Sequence, residues 1–283
     1  MLRLIADLRH ISEQAQQLAS AMDFTFLLDE QRQLLSVGFD AQSETLQPYC
    51  YDLLATEPRT AAFTAIAKEE IPQDCWFRLD RPFARDHGRM VLLSWTGTMF
   101  EYLMPSIWMK SYRNTLLDRA GLAAVRSQQA YATEKGIPWG ISESACARRN
   151  DAGDCHYEAF GVPSLALQKG KTEPRIVSPY STFLALNVDR RAALDNLHRM
   201  DALGWFGSYG FYEAGDYSSR GRFGWRRCEL VRAWMVHHQG MSLLSLGNLL
   251  CDHVVQRWFH SDRRVQATEL LLQEKPVSRA GAL

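Results

Sequence analysis

Three glutamates in this chain stand among aromatic and small residues instead of on charged helical faces: Glu143 in 139-WGISESA-145, Glu213 in 209-YGFYEAGDYSS-219 and Glu101 in 97-GTMFEYLMP-105. Work at a glycosidic bond needs two carboxyl groups, one protonated to assist the leaving oxygen, the other attacking the anomeric carbon or activating a water. Each acid also has a plainer role open to it. Glu101 is placed to answer a helix dipole, Glu213 to bond tyrosine hydroxyls, and Glu143 to be an exposed loop acid. Glu69, Glu70 and Glu134 lie beside lysines in helical stretches and read as solvated surface. Glu158 in 156-HYEAFGVP-163 is open to either a substrate contact or a structural role.

Other chemistries find less support. The pair His237-His238 invites a metal reading, but adjacent residues on a helix point about 100° apart and do not form the i, i+4 ligand pair of a zinc helix. Hydrogen bonding to sugar hydroxyls or to a catalytic acid suits His237, His238 and Gln239 better, with a satisfied core histidine as the plain alternative. Cys146, Cys155 and His156 do not make a convincing zinc set, and nothing in the sequence calls for a cofactor. Neither a phosphate-cradling glycine loop nor a G-x-S-x-G elbow occurs.

Lys plus Arg and Asp plus Glu both number 32, which removes the positive field expected of a nucleic-acid binder. The charged N-terminus lacks the apolar run of a signal peptide, and no window reaches the ~18 apolar residues of a membrane helix. A soluble, cytoplasmic domain with free thiols at its six cysteines is expected.

The elements that must position these acids are mainly helical. Helical spacing marks 3–22, 50–70 with Pro58 near a start or kink, 101–112, 116–135 stopped by Gly136 and Pro138, 189–200 with Asp189 as cap, 226–259 broken near Gly240, and 261–274. Two short apolar runs around 29-DEQRQ-33 predict a β-hairpin. Residues 136–180 read as long and irregular, the kind of stretch that carries function. No βαβ alternation and no linker appear, so one domain over 1–283 is expected.

Nine segments in order carry a resemblance: YDLLATEPRTAAFTAIAKEEIP, WFRLDRP, LLSWTGTMFEYLMP, GIPWGISESA, YEAFGVPSLALQKG, SPYSTFLAL, YGFYEAGDYS, HHQGMSLLSLGNLL and FHSDRRVQATELLLQEKP. From about residue 4 to 276 the chain resembles the glucoamylase-like domain of bacterial cyclic β-1,2-glucan synthases. The resemblance implies an (α/α)-barrel of paired helices, complete or lacking helices of the full barrel. It also implies a β-1,2-glucan substrate, closed into a ring by retaining transglycosylation with two glutamates, and a place beside other domains of a membrane-bound synthase. On the matching motifs Glu143 is expected as acid/base and Glu213 as nucleophile, with Glu101 in reserve. Trp95, Trp139, Tyr209 and Tyr212 are expected to floor the groove, and Asp216, His237, His238 and Gln239 to contact sugar. Gly215 and Ser218 depart from the family's usual YEAIDYT. A non-catalytic glucan-binding module and an endo-acting β-glucan hydrolase of the same fold are the alternatives.

Overall fold

A computed structural model describes residues 2–150, 153–168, 174–218 and 228–275. The chain divides into two compact units, one of residues 1–52 and 61–79, the other of residues 53–60 and 80–283.

The first unit opens with the expected helix, Leu2–Ala21, whose apolar residues Leu4, Leu8, Ile11 and Leu18 are all exposed. The hairpin follows, with Leu28–Asp29 paired antiparallel to Leu34–Leu35. Phe63 and Trp76, both fully buried, meet edge to face with centroids 6.1 Å apart and form the aromatic centre of this unit.

In the second unit the helix Leu116–Lys135 begins on Thr115, whose side chain accepts from the Asp118 N–H, and ends on Gly136 at φ 70°. Both ends match the sequence because capping and left-handed glycine are local effects. Arg190–Ala202 likewise starts on Asp189, whose carboxylate accepts from the Ala192 N–H at 3.2 Å. The helix Met99–Leu103 is shorter than expected, since Pro105 turns its end into a 3-10 segment, Met104–Ile107.

The expected break near Gly240 is a correction. Val236–Leu250 runs through Gly240 unbroken. The chain breaks at Asp252 and His253, with φ of 51° and 55°, before Val254–Phe259. Residues 228–235 are not helical: Glu229–Val231 is a strand, and positions 226 and 227 lie outside the described residues.

The supposedly irregular stretch 136–180 contains an antiparallel hairpin, Ser144–Arg149 with Cys155–Glu158. Ala214–Asp216 is flanked by Glu229–Val231 and Ile176–Val177 in a three-stranded sheet. Helices Pro179–Leu184 and Val236–Leu250 pack on each other, and Pro179–Leu184 also touches Met99–Leu103 and Arg190–Ala202. The described chain is thus mostly helical with small sheets, and no helix in it is long and apolar enough to cross a membrane.

Candidate active site

The stretch Trp139–Glu143 is held by side chains gripping its backbone and by backbone bonds from the Met99 and Ser178 N–H groups. Gln128 clamps Ile141, its amide donating to the carbonyl and accepting from the N–H, both at 2.8 Å. Asn196 does the same for Trp139 at 2.8 and 3.2 Å. Gly140 sits at φ 115° with Ser181 Oγ only 2.5 Å from where a Cβ would be, so glycine is required there. A segment with this many fixed partners presents Glu143 rigidly, which a reacting carboxylate needs.

Glu143 is half-buried. Its Oε1 accepts from the Tyr157 hydroxyl at 3.1 Å, and its backbone carbonyl accepts from the Tyr180 hydroxyl at 3.0 Å. Burial raises the Glu143 carboxyl above its ordinary range, and the Tyr157 hydrogen bond and His238 pull it back, while Glu101 adds to the rise. The Tyr157 hydroxyl also lies 3.3 Å from His238 Nε2 and 3.4 Å from His237 Nε2. The His238 ring stacks on Tyr180 with centroids 3.7 Å apart, and its Nδ1 lies 2.9 and 3.0 Å from the two oxygens of Glu213.

Glu213 is brought into this network, but its side chain has 0% exposure. Besides His238 it accepts from the Ala145 N–H at 3.2 Å. The carboxylate borders the cavity but is spent on His238 and the Ala145 N–H, contacts that suit Glu213 to orienting His238 and bracing the 144–149 strand. Asp216 does similar work: it is buried and accepts from the N–H groups of Ala147 at 3.1 Å and Ser218 at 2.8 Å.

Glu101 is also buried. Its carboxylate accepts from Ser94, from the backbone and hydroxyl of Thr96 and from both groups of Thr98, all between 2.8 and 3.1 Å, closing a capping box with Thr98. Four of these donors crowd Oε2 and one reaches Oε1, the contacts of a carboxylate that holds a helix start. The helix-terminal role open to it in the sequence is the one its contacts describe.

A half-buried acid outside the three candidates lies nearby. Glu57 sits in the turn before the helix Arg59–Ala67. Burial pushes its carboxyl up to about 7, with Glu101 and Glu143 adding to the rise and Arg59 opposing it. Arg59 anchors the turn from beneath: its buried guanidinium donates to the carbonyls of Thr56 and Glu101 at 2.9 Å and of Tyr102 at 2.6 Å. Glu57 has no aromatic frame in sequence, its neighbours being Thr56, Pro58 and Arg59; a Glu-Pro at a helix start is the one local signal it carries. Tyr157 was passed over in favour of Glu158. Strand alternation turns Tyr157 toward the acids and leaves Glu158 exposed against Arg148 and His156.

The raised Glu57 carboxyl has a measurable cost. Below its unfolded value near 4.5 it is protonated folded or unfolded and contributes nothing. As pH rises from 4.5 to 7 the folded protein alone holds the proton, and folding loses on the order of 2–3 kcal/mol across that window. Glu57→Gln is therefore expected to melt above wild type at about pH 8 and level with it at about pH 4, read by thermal unfolding at both. Parallel pH profiles would sink this assignment of the proton.

The expected sugar contacts separate. Trp139 is buried and has no open face. Trp95 is half-buried, and Tyr209 is 78% exposed with its ring edge-on to Trp234. Tyr212, Gln239, Tyr180, His238, Phe183 and Phe211 line a cavity of about 250 Å³. His237 is exposed, and burial of its ring and the neighbouring His238 lower its pKa. Among the described residues no three His, Cys, Asp or Glu side chains converge in a metal-holding group.

The sequence is 38% identical over 265 residues to the cyclic β-(1,2)-glucan synthase NdvB of Rhizobium meliloti strain 1021, covering 94% of this chain but only 9% of that protein. The fold is shared with an endo-β-1,2-glucanase of Chitinophaga pinensis, solved with sophorotriose and glucose. The TM-score is 0.70 at 16% identity, with 94% of this chain and 65% of that chain covered. It is also shared with an endo-β-1,2-glucanase of Talaromyces funiculosus solved with sophorose, at a TM-score of 0.59 and 14% identity over 90% and 59% of the two chains. The chain therefore spans less than two-thirds of each of these relatives. The sequence model of the Glycoamylase family, described as "Putative glucoamylase", matches residues 51–263, and to that family this chain belongs.

Proposed function

We propose that this chain is a glycosidase-type domain acting on β-1,2-glucan, with Glu57 and Glu143 as its reacting carboxyls. The observation that carries the reading is the pair itself. Burial raises both half-buried carboxyls; Glu57 is held to about 7 with Glu143 adding to its rise, and Glu143 receives the Tyr157 hydrogen bond. Environments that push two carboxyls apart in this way divide them into acid and base. The likeness to NdvB and to the two β-1,2-glucanase folds supplies the substrate class.

In this mechanism the Glu143 carboxylate attacks the anomeric carbon while Glu57 donates its proton to the departing glycosidic oxygen, leaving a glycosyl ester on Glu143. Glu57, now ionised, takes the proton of an acceptor hydroxyl as that oxygen displaces Glu143. If the acceptor is the bound chain's own non-reducing end, the product is a ring; if it is water, the product is linear. The nucleophile role expected of Glu213 passes to Glu143, and the acid/base role expected of Glu143 passes to Glu57. Trp95, Tyr209, Tyr212, His237 and Gln239 stay as proposed sugar contacts, and Trp139 and Asp216 support the site from behind. The proposal includes the (α/α)-barrel architecture over one domain of residues 1–283, working beside the other domains of a larger, membrane-associated synthase.

The test is incubation with linear β-1,2-glucan, products being followed by mass spectrometry and a reducing-end assay. Ring masses one water below the linear chains, without new reducing ends, are the expected result. New reducing ends identify a hydrolase. Glucan that is bound but unchanged identifies a binding module, and glucan neither bound nor changed overturns the reading.

A further inference from the structure

One hydroxyl, that of Tyr157, has three partners: Glu143 Oε1 at 3.1 Å, His238 Nε2 at 3.3 Å and His237 Nε2 at 3.4 Å. A phenol carries one proton and can donate it once. Burial and the neighbouring Glu143 push its ionisation up, so the phenol keeps that proton. The partners must therefore agree on who donates. The tautomer of His238 is set from behind, because Nδ1 faces both oxygens of the buried Glu213 and so carries a hydrogen.

Two arrangements satisfy every atom, with His237 donating its Nε2–H to the Tyr157 oxygen in both. In the first, Glu143 is ionised and accepts from Tyr157, whose oxygen accepts from Nε2–H of a charged His238 paired with Glu213. In the second, Glu143 is protonated and donates to the Tyr157 oxygen, while the Tyr157 hydroxyl donates to Nε2 of a neutral His238. Interconversion moves one proton from Nε2 to the Tyr157 oxygen and another from that oxygen to Glu143 Oε1. A carboxylate and an imidazolium become a carboxylic acid and an imidazole, and the total charge is unchanged. Rings stacked at 3.7 Å hold His238 on Tyr180, whose hydroxyl fixes the Glu143 backbone, so the chain of atoms keeps its alignment.

We propose that Tyr157 is a positioning residue that couples the ionisation of Glu143 to the buried His238–Glu213 pair, so that Glu213 acts on the candidate nucleophile without touching it. The mechanistic half of this inference rests on the function proposed above; the coupling itself does not. The charged or titratable groups that face Glu143 in this network are Glu57 from its turn, Glu101 from the Met99–Leu103 helix, Tyr157, Tyr180, His237, His238 and Glu213.

Two variants separate coupling from mere structure. Tyr157→Phe removes the shared hydroxyl. Glu213→Gln removes the charge and puts an NH2 donor in place of Oε2, 3.0 Å from Nδ1, while an amide oxygen at Oε1 keeps the bonds from Nδ1–H at 2.9 Å and the Ala145 N–H at 3.2 Å. The side-chain carboxyl of Glu143, labelled with carbon-13 and assigned by its loss in Glu143→Gln, is titrated by NMR in each protein. Its midpoint is expected to rise by about one to two pH units in Tyr157→Phe, and upward by a smaller step in Glu213→Gln. On linear β-1,2-glucan the acid limb of kcat/KM should move with it, with a loss of about 10- to 100-fold on that limb that shrinks as pH rises. Unmoved midpoints in both folded variants overturn the coupling, whatever the wild-type activity. Moved midpoints in a protein inert toward the glucan uphold the coupling and remove the proposed reaction instead. A movement in Tyr157→Phe alone confines the effect to a direct hydrogen bond and rejects the role given to Glu213.

Discussion

Glu143→Gln and Glu57→Gln are each expected to lower turnover of linear β-1,2-glucan by about 10³-fold or more while leaving glucan binding nearly intact, because each change barely alters side-chain volume and removes the group that forms or breaks a bond in the proposed reaction. Azide distinguishes the two roles. In Glu143→Ala it enters the space of the missing nucleophile and displaces the leaving group directly, giving a glycosyl azide of inverted configuration. In Glu57→Ala the Glu143 ester still forms from a substrate with a good leaving group, and azide intercepts it to give the retained anomer. The opposite pattern of anomers would exchange the two roles. Full turnover in either Gln variant would remove that residue from the reaction. Glu213→Gln is expected to retain measurable turnover, since a residue that orients His238 from a buried position alters the chemistry at one remove.

Gly161→Ala is expected to cost about 4 kcal/mol or more, a drop of roughly 10 °C in melting temperature. A Cβ there would stand 1.8 Å from the Thr96 carbonyl oxygen and 2.6 Å from the carbonyl carbons of Thr96 and Gly97, so backbone must yield to backbone. Gly97 faces the same crossing at φ 78°, with the Val162 carbonyl 2.5 Å from its Cβ position, and Val162 N–H donates to the Gly97 carbonyl at 3.0 Å. Prising these segments apart would also withdraw the Thr96 donors from Glu101 and loosen the helix start that Arg59 ties to the Glu57 turn. Differential scanning calorimetry of the variant checks this, and an unchanged melting temperature would mean that the crossing is looser than drawn.

How far the sequence alone reached can be judged from particular residues. The helix from Leu116 to Lys135 was legible because a cap at Thr115 and a left-handed Gly136 act within a few residues. The break after Leu250 was not, because Gly240 is only a weak helix breaker and the actual stop is two consecutive residues of positive φ with no glycine between them. WGISESA and YGFYEAGDY were legible as places where acids matter, and both entered one network. Their division of labour was not legible, since it depends on exposure.

The sequence by itself determined the helical character, the capped ends, the family and the set of acids from which a site could be built, all of which follow from local spacing and residue type. The tertiary structure alone decided how each acid is buried and which groups it faces. It buried Glu213 against His238 and spent Glu101 on five donors. It brought Glu57 from a turn 86 positions before Glu143 into the same field. Burial and electrostatic coupling are properties of what folds against a residue, and no neighbour in sequence carries that information.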